Sequence, residues 1–152
     1  MLVEIVGDKI AKIVGDEKNI LELRLRIGRP LVVCSKEGKR VANYNGVPYI
    51  VGQKDVDDVL ARATNMSFYS ASEEMKRGYV PCKHYRIGVG GEGVSEGGKL
   101  ISVKNVEYLV IRIPHQIKGI ADKIASDVFV GERARNTLIV SPTGCGKTTL
   151  LR

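Results

Sequence analysis

Thr137-Leu138-Ile139-Val140-Ser141-Pro142-Thr143-Gly144-Cys145-Gly146-Lys147-Thr148-Thr149-Leu150-Leu151-Arg152 is the stretch on which the reading of this chain turns. The apolar, β-branched run Thr137–Val140 is expected to be a strand. It enters a glycine-containing turn, and the Lys-Thr-Thr-Leu-Leu that follows is expected to begin a helix. Strand, loop and helix start in that order form the layout of a phosphate-binding loop. In such a loop backbone N–H groups converge on a phosphate, where the helix dipole also favours negative charge. Gly144 and Gly146 let the backbone come close and adopt angles closed to other residues. Lys147 is expected to pair with the β- and γ-phosphates of ATP, and the Thr148 hydroxyl to ligate Mg²⁺. Ser141, Pro142, Thr143, Cys145 and Thr149 complete the expected cradle. The consensus has glycine where this chain has Ser141, but that position starts the turn and does not touch phosphate. A chance Gly/Thr turn before a helix is the competing explanation, and the order of the three parts weighs against it.

Nucleotide hydrolysis asks for more than this loop. It needs an acidic residue on a later strand for Mg²⁺, a group that positions water and usually an arginine. The expectation is therefore either a piece of a longer protein or a chain unable to do the chemistry its loop announces, with no catalytic residue of its own.

A hydrophobic content of 43% with only 5% aromatics and no Trp predicts a real but aliphatic core. The net charge is +7, from 24 Lys and Arg against 17 Asp and Glu. That suits an acidic partner such as nucleotide, nucleic acid, anionic lipid or an acidic protein face. Because the charge is spread along the chain, an ordinary solvated basic surface remains an equal explanation. Three cysteines without metal spacing argue for a reducing, cytosolic setting. No apolar run reaches the roughly 18 residues of a membrane span, and no signal-peptide pattern opens the chain. A cytoplasmic protein is expected, with any membrane association made through partners.

Upstream of the loop the patterning is that of an α+β domain with a mainly antiparallel sheet. Leu2, Ile5, Val6, Ile10, Ile13 and Val14 have helical spacing interrupted by Gly7 and Gly15. Leu21, Leu23, Leu25 and Ile27 alternate with charged residues and predict a half-buried strand over 21–27. Leu31–Cys34 reads as the return strand, Lys36–Lys39 as a turn and Tyr49–Val51 as a further short strand. Val56, Val59, Leu60 and Ala63 predict a helix over 53–65. Asp55, Asp57 and Asp58 lie near its start, where the dipole favours them over a metal-ligating role. Ser70–Glu73 fits a capping box and Gly78 a helix stop. Strands are then expected at Tyr79–Cys82, Tyr85–Val94, Lys99–Val103 and Val106–Ile113. Beyond Pro114, Ile117, Ile120, Ala121, Ile124 and Val128 predict an amphipathic helix, and Glu132–Arg135 a basic segment feeding the strand before the loop. The domain boundary falls at Pro114, giving residues 1–114 and 115–152.

Three other patterns invite a chemical reading. Gly88-Val89-Gly90-Gly91-Glu92-Gly93 matches a dinucleotide fingerprint by letter, but a turn and another strand follow where a helix is required. A glycine-rich strand that is curved or closely packed fits better, with a close contact to another backbone or a ligand as the alternative. Cys82-Lys83-His84 lacks zinc spacing, and neighbouring strand residues point to different faces, so neither a metal site nor a Cys-His pair is expected. Arg24, Arg26, Arg29, Arg86 and Arg112 sit on or beside strands, where surface arginine is the default. Arg26, Arg29 and Arg86 are the best candidates to face phosphate oxygens. Tyr79 and Tyr85 loosely supply the aromatics that nucleic-acid binding would want.

Taken together, Glu22–Leu31, Ala63–Glu74 with Arg77-Gly78-Tyr79, Arg86–Gly91, Ile111–Ile113 and Ser141–Arg152 resemble the ordered motifs of the stage III sporulation protein AA family, ATPases of spore-forming bacteria. The resemblance covers about residues 20–152. It departs at Pro81–Arg86, where the family tends to have a glycine-rich hairpin. That family is similar to the type II and type IV secretion ATPases. These pair an N-terminal α+β domain with a RecA-like α/β motor and commonly work as hexamers. The resemblance implies a motor for the channel between mother cell and forespore, with the other stage III sporulation proteins as partners. It implies that residues 1–114 are the N-terminal domain and that 115–152 open the P-loop ATPase domain. A nucleic-acid-binding module attached to an ATPase, and a subunit-assembly module without activity of its own, are the rival readings.

Overall fold

The computed structural model describes residues 1–65, 71–115, 119–142 and 145–151, with the backbone alone at Thr148. These fall into two units, Met1–Pro114 and His115–Arg152. In chain order the first unit contains α1 (Val3–Val14), β1 (Ile20–Arg26), β2 (Val32–Ser35), β3 (Gly38–Val41), β4 (Asn43–Tyr44), β5 (Val47–Pro48), α2 (Gln53–Ala63), α3 (Ser72–Lys76), β6 (Tyr79–Cys82), β7 (Tyr85–Glu96) and β8 (Lys99–Arg112). Six of the strands form one antiparallel sheet in the order β3-β2-β1-β8-β7-β6, and β4 pairs with β5 as a separate small hairpin. The fold of this unit is mixed α and β with a mainly antiparallel sheet, as its patterning predicts.

The core forms where the apolar phases of these elements meet. Leu23, Leu25, Val33, Val80, Tyr85, Ile87, Leu109 and Ile111 line one face of the sheet. Ile5, Val6 and Ile10 of α1, Val56, Val59 and Leu60 of α2 and Met75 of α3 pack in the same cluster. The helices therefore cover one face of the sheet only. Gly7 (φ 75°, ψ 166°) breaks α1 into two halves, as its position in the pattern suggests, and Gly15 (φ 84°) ends it. Asp55 caps α2: its carboxylate accepts from the Gly52 N–H at 2.8 Å and from the Tyr49 hydroxyl. Asp57 accepts from Gln53, and no cluster of metal-ligating side chains occurs among the described residues. The expected capping box at Ser70–Glu73 rests on Ser70, which lies outside the described residues. Gly78 (φ 83°) stops α3.

Several expectations are corrected. A β-bulge between Ile20 and Glu22 shifts the phase of β1 at its start. Ile20 takes the buried position, and Leu21 turns outward at 38% exposure. Tyr49–Val51 is not a strand. It makes one isolated bridge, Pro30 to Ile50, and spends its backbone bonds on the loop after β1, where the Leu31 N–H donates to the Tyr49 carbonyl at 2.8 Å. The turn at Lys36–Lys39 is tighter than expected, with Gly38 and Lys39 already in β3. The two strands expected at Lys99–Val103 and Val106–Ile113 are one continuous β8. Asn105 (φ 45°) absorbs an irregularity there, and the register passes from Gly90–Tyr108 to Glu92–Lys104.

Glu17 ties the N-terminal helix to the sheet. Its carboxylate accepts from the Leu2 N–H at 2.8 Å and from the Tyr85 hydroxyl. Burial, and then this bond to Glu17, push the Tyr85 phenol above its ordinary range. Glu17→Ala leaves the Tyr85 hydroxyl inside the core without its acceptor. An expected loss of about 2 kcal/mol follows, checked by urea unfolding. Because the folded phenol titrates higher than the unfolded one, its contribution is complete below about pH 10 and is lost as the pH rises above that. Tyr85→Phe should remove that alkaline step from the stability profile.

The second unit is sparsely structured. Ile117 lies outside the described residues. Where the amphipathic helix was expected to run on to Val128, there is a short 3₁₀ turn at Asp122–Ile124 and α4 (Ala125–Val128). Gly119 (φ 76°) interrupts the helical path ahead of them, and neither element buries a side chain that would stabilise it. A hairpin of β9 (Phe129–Val130) and β10 (Arg133–Ala134) follows. Thr137–Val140, the expected strand, pairs with no other strand among the described residues, and Leu138 and Val140 are 86% and 81% exposed. A strand is held by ladder bonds to a neighbour, and β-branched composition alone does not supply one. The last element is α5 (Lys147–Leu150).

Candidate functional site

The expected loop lies in the second unit. Gly146 precedes α5 in the left-handed conformation (φ 82°, ψ 14°), an angle pair that a side chain would strain. The turn is closed by Lys147. Its ammonium donates to the Ser141 carbonyl at 2.7 Å, the Ser141 hydroxyl at 3.2 Å and the Pro142 carbonyl at 2.9 Å. Ser141 and Pro142 thus meet Lys147 across the loop. The Cys145 thiol is exposed and free, and Thr149 is half-buried. Thr143, Gly144 and the Thr148 side chain lie outside the described residues, so the expected Mg²⁺ ligand has no described geometry.

The first unit carries the arginines. Strand register places Arg24 opposite Val110, Arg26 opposite Tyr108 and Arg86 opposite Arg112. All are in the phase that points away from the helices, so they share the uncovered face of the sheet. Arg24 pairs with Glu22 at 2.6 Å and Arg112 with the same carboxylate at 3.5 Å. Arg26 and Arg86 make no ion pair among the described residues. Arg29 sits in the loop after β1, held by its own N–H to the Arg26 carbonyl, and does not share the row. Tyr79 is on the uncovered face, at the edge strand. Tyr85 is not available to stack on a ligand, because it points the other way and is fully buried. Tyr108, on the face opposite Leu109, Ile111 and Ile113 as the alternation of β8 predicts, was not among the aromatic candidates. Its alternation with Val110 and Arg112 was the signal that could have found it.

The glycine run behaves as a closely approached strand at one point. A Cβ on Gly91 would lie 2.7 Å from the Lys104 carbonyl oxygen, 2.9 Å from that of Asn105 and 2.9 Å from the Val106 Cα. At Gly88 a Cβ would meet Val110 at an ordinary 3.6 Å, and the missing side chain leaves an indentation in the sheet surface. A groove of about 710 Å³ opens over it, lined by Tyr79, Pro81, Arg86, Gly88, Val110 and Arg112. Cys82 is buried at the end of β6, its thiol pushed up by burial, while His84 is exposed. The two do not form a pair.

The architecture is thus that of a mixed α and β protein: an antiparallel sheet covered by helices on one side, and a separate unit that carries a lysine-closed turn. The chain belongs to the family described as sporulation stage III, protein AA, which matches residues 2–152. Stage III sporulation protein AA of Bacillus subtilis (strain 168) is 34% identical over 134 residues, which are 88% of this chain and 42% of that protein. The chain therefore spans less than half the length of this relative. The X-ray structure of the Legionella pneumophila ATPase DotB aligns at 15% identity with a TM-score of 0.40, over 88% of this chain and 36% of that one. That likeness is too low to bear on the fold. No helix among the described residues is long and apolar enough to cross a membrane.

Proposed function

We propose that this chain carries the phosphate-binding loop of a secretion-type P-loop ATPase, and that residues 115–152 open its RecA-like domain. The observation that supports this reading best is the Lys147 ammonium held by three oxygens of its own loop directly after a left-handed Gly146. Neutral carbonyl and hydroxyl acceptors are weak partners for an ammonium compared with a phosphate, whose bond to lysine is charge-assisted. On arrival of ATP, Lys147 exchanges the Ser141 and Pro142 oxygens for the β- and γ-phosphates, and Ser141–Thr149 wraps the polyphosphate. Mg²⁺ held by Thr148 would neutralise charge on the same phosphates. Hydrolysis further asks for an acidic residue from another strand to complete the metal site. In the whole protein the same loop serves a motor for the channel between mother cell and forespore. It works as a hexamer in the cytoplasm, with the other stage III sporulation proteins as partners.

Calorimetric titration with Mg-ATP tests the loop. Lys147→Ala is expected to weaken binding at least tenfold, and Lys36→Ala, in the exposed turn before β3, to leave it unchanged. Binding that survives Lys147→Ala overturns the assignment. Hydrolysis is expected only from a protein spanning the full length of the relatives. Clear Lys147-dependent turnover by this chain alone would sink that part of the proposal.

A further inference from the structure

The uncovered face of the sheet has a chemistry of its own. Four arginines, Arg24, Arg26, Arg86 and Arg112, stand on it; the carboxylate among them, Glu22, is already engaged by two, and Glu92 and Glu107 lie at the far rim beside Arg26. Register sets the layout in rows across the strands. Pro81, Arg86, Arg112 and Glu22 form one row, Tyr79, Gly88, Val110 and Arg24 the next, and Gly90, Tyr108 and Arg26 the third. The groove over Gly88 has two arginines and a tyrosine on its walls and no carboxylate in its lining. Next to it, the Tyr108 ring lies against Gly90, where a Cβ would sit only 3.5 Å from the ring Cδ1. Glu92 and Glu107 rim this second indentation, which confines the anion-attracting region to the first groove and the rows beside it.

From this layout we infer that the open face binds single-stranded nucleic acid, with bases stacked on Tyr79 and Tyr108 and phosphates held by Arg86 and Arg112. Three features favour that ligand over a duplex or an acidic protein. The surface is the face of a multi-stranded sheet with no protruding helix or ribbon, so it cannot enter a duplex groove, whereas unpaired bases can lie on it. Gly88 keeps the floor low beside Tyr79, leaving room for a planar base, and Gly90 lets the Tyr108 ring lie down on the sheet. Planar guanidinium groups one strand apart supply bidentate donors to successive phosphates, a geometry that point-charge lysines would not offer. Antiparallel sheets that stack two or three bases on exposed rings work on the same physical basis. The site lies in the first unit and does not depend on Lys147.

Fluorescence anisotropy with a labelled oligothymidylate of about twelve nucleotides, run on the full chain across a salt series, tests the inference. Binding is expected at low salt, with an affinity that falls linearly on a log–log plot. Arg86→Ala combined with Arg112→Ala is expected to weaken it at least tenfold and to flatten the slope by roughly 0.7 for each phosphate left without its arginine. Tyr79→Ala is expected to weaken it at least fivefold, while Tyr79→Phe retains most of it and shows that the sheet is intact. Lys147→Ala is expected to leave it unchanged, which separates this site from the nucleotide loop. Absence of binding at low salt overturns the inference. So does binding indifferent to Tyr79→Ala and matched by inorganic polyphosphate, which would reduce the face to a generic polyanion patch.

Discussion

Leu23→Ala is expected to cost about 2–5 kcal/mol, among the largest single-residue losses in the molecule. Leu23 is 0% exposed and sits on the central strand of the sheet. Register puts it between Val33 on one side and Ile111 on the other, both buried, and the helices close over that face. No neighbour can move in to fill the space without pulling a strand or helix with it, so the cavity term adds to the lost transfer energy. Against a total stability of about 5–15 kcal/mol for an ordinary domain, the loss is a large fraction. Urea unfolding followed by circular dichroism measures it. A change below about 1 kcal/mol would mean that the sheet and helices are not packed as described. Leu21→Ala, two residues earlier in the same alternating run, should cost much less, because the bulge turns that side chain outward.

The second large effect is expected at Gly91→Val, about 3 kcal/mol. β-propensity alone would predict a gain, since valine suits strands and glycine weakens them. The backbone of β8 decides otherwise. The three atoms nearest the added Cβ are two carbonyl oxygens and a Cα, all within 3 Å, and backbone cannot swing aside as a side chain can. Gly93→Ala gives the internal comparison. There the close atom is the Cδ1 of Leu100, the far end of a flexible and partly exposed side chain, so the cost should stay below about 1 kcal/mol. Thermal melts of the two variants check the order. If Gly93→Ala proved the more damaging, the bulge opposite Asn105 would be misplaced.

The parts of this fold that were legible in sequence are those where period and burial coincide over several turns or strand positions. Leu23 and Leu25, Leu109, Ile111 and Ile113, and the stripe Val56-Val59-Leu60-Ala63 all occupy the buried faces their spacing assigns. The rejection of a dinucleotide fingerprint at Gly88–Gly93 also needed only the local order of strand and turn, and β7 bears it out. What escaped was set by irregularity or by partners distant in sequence. A bulge reverses Leu21 and Ile20, and nothing in the letters marks it. Tyr85 and Tyr79 look alike as exposed-aromatic candidates, yet Tyr85 belongs to the buried phase because the turn at Lys83 fixes the register of β6 and β7. Thr137–Val140 has every compositional mark of a strand and lacks only a neighbour, a property that belongs to the rest of a sheet. The grouping of Arg26, Arg86 and Arg112 on one face is likewise a product of strand order, since β1, β8 and β7 lie side by side and register puts the three in the same pleat phase.

That unpaired run also has a colloidal meaning. Thr137-Leu138-Ile139-Val140 offers the exposed side chains of Leu138 and Val140 and a main chain without a strand partner among the described residues, which is the surface from which β-type aggregates grow between chains. It carries no charge of its own to act as a gatekeeper, and the nearest basic residue upstream is Arg135. The force that keeps two copies apart is therefore the repulsion of a molecule bearing a net charge of +7. Ionic strength shortens the reach of that repulsion and leaves the apolar edge untouched, so the chain's solubility is governed by salt and concentration more than by the stability of its sheet.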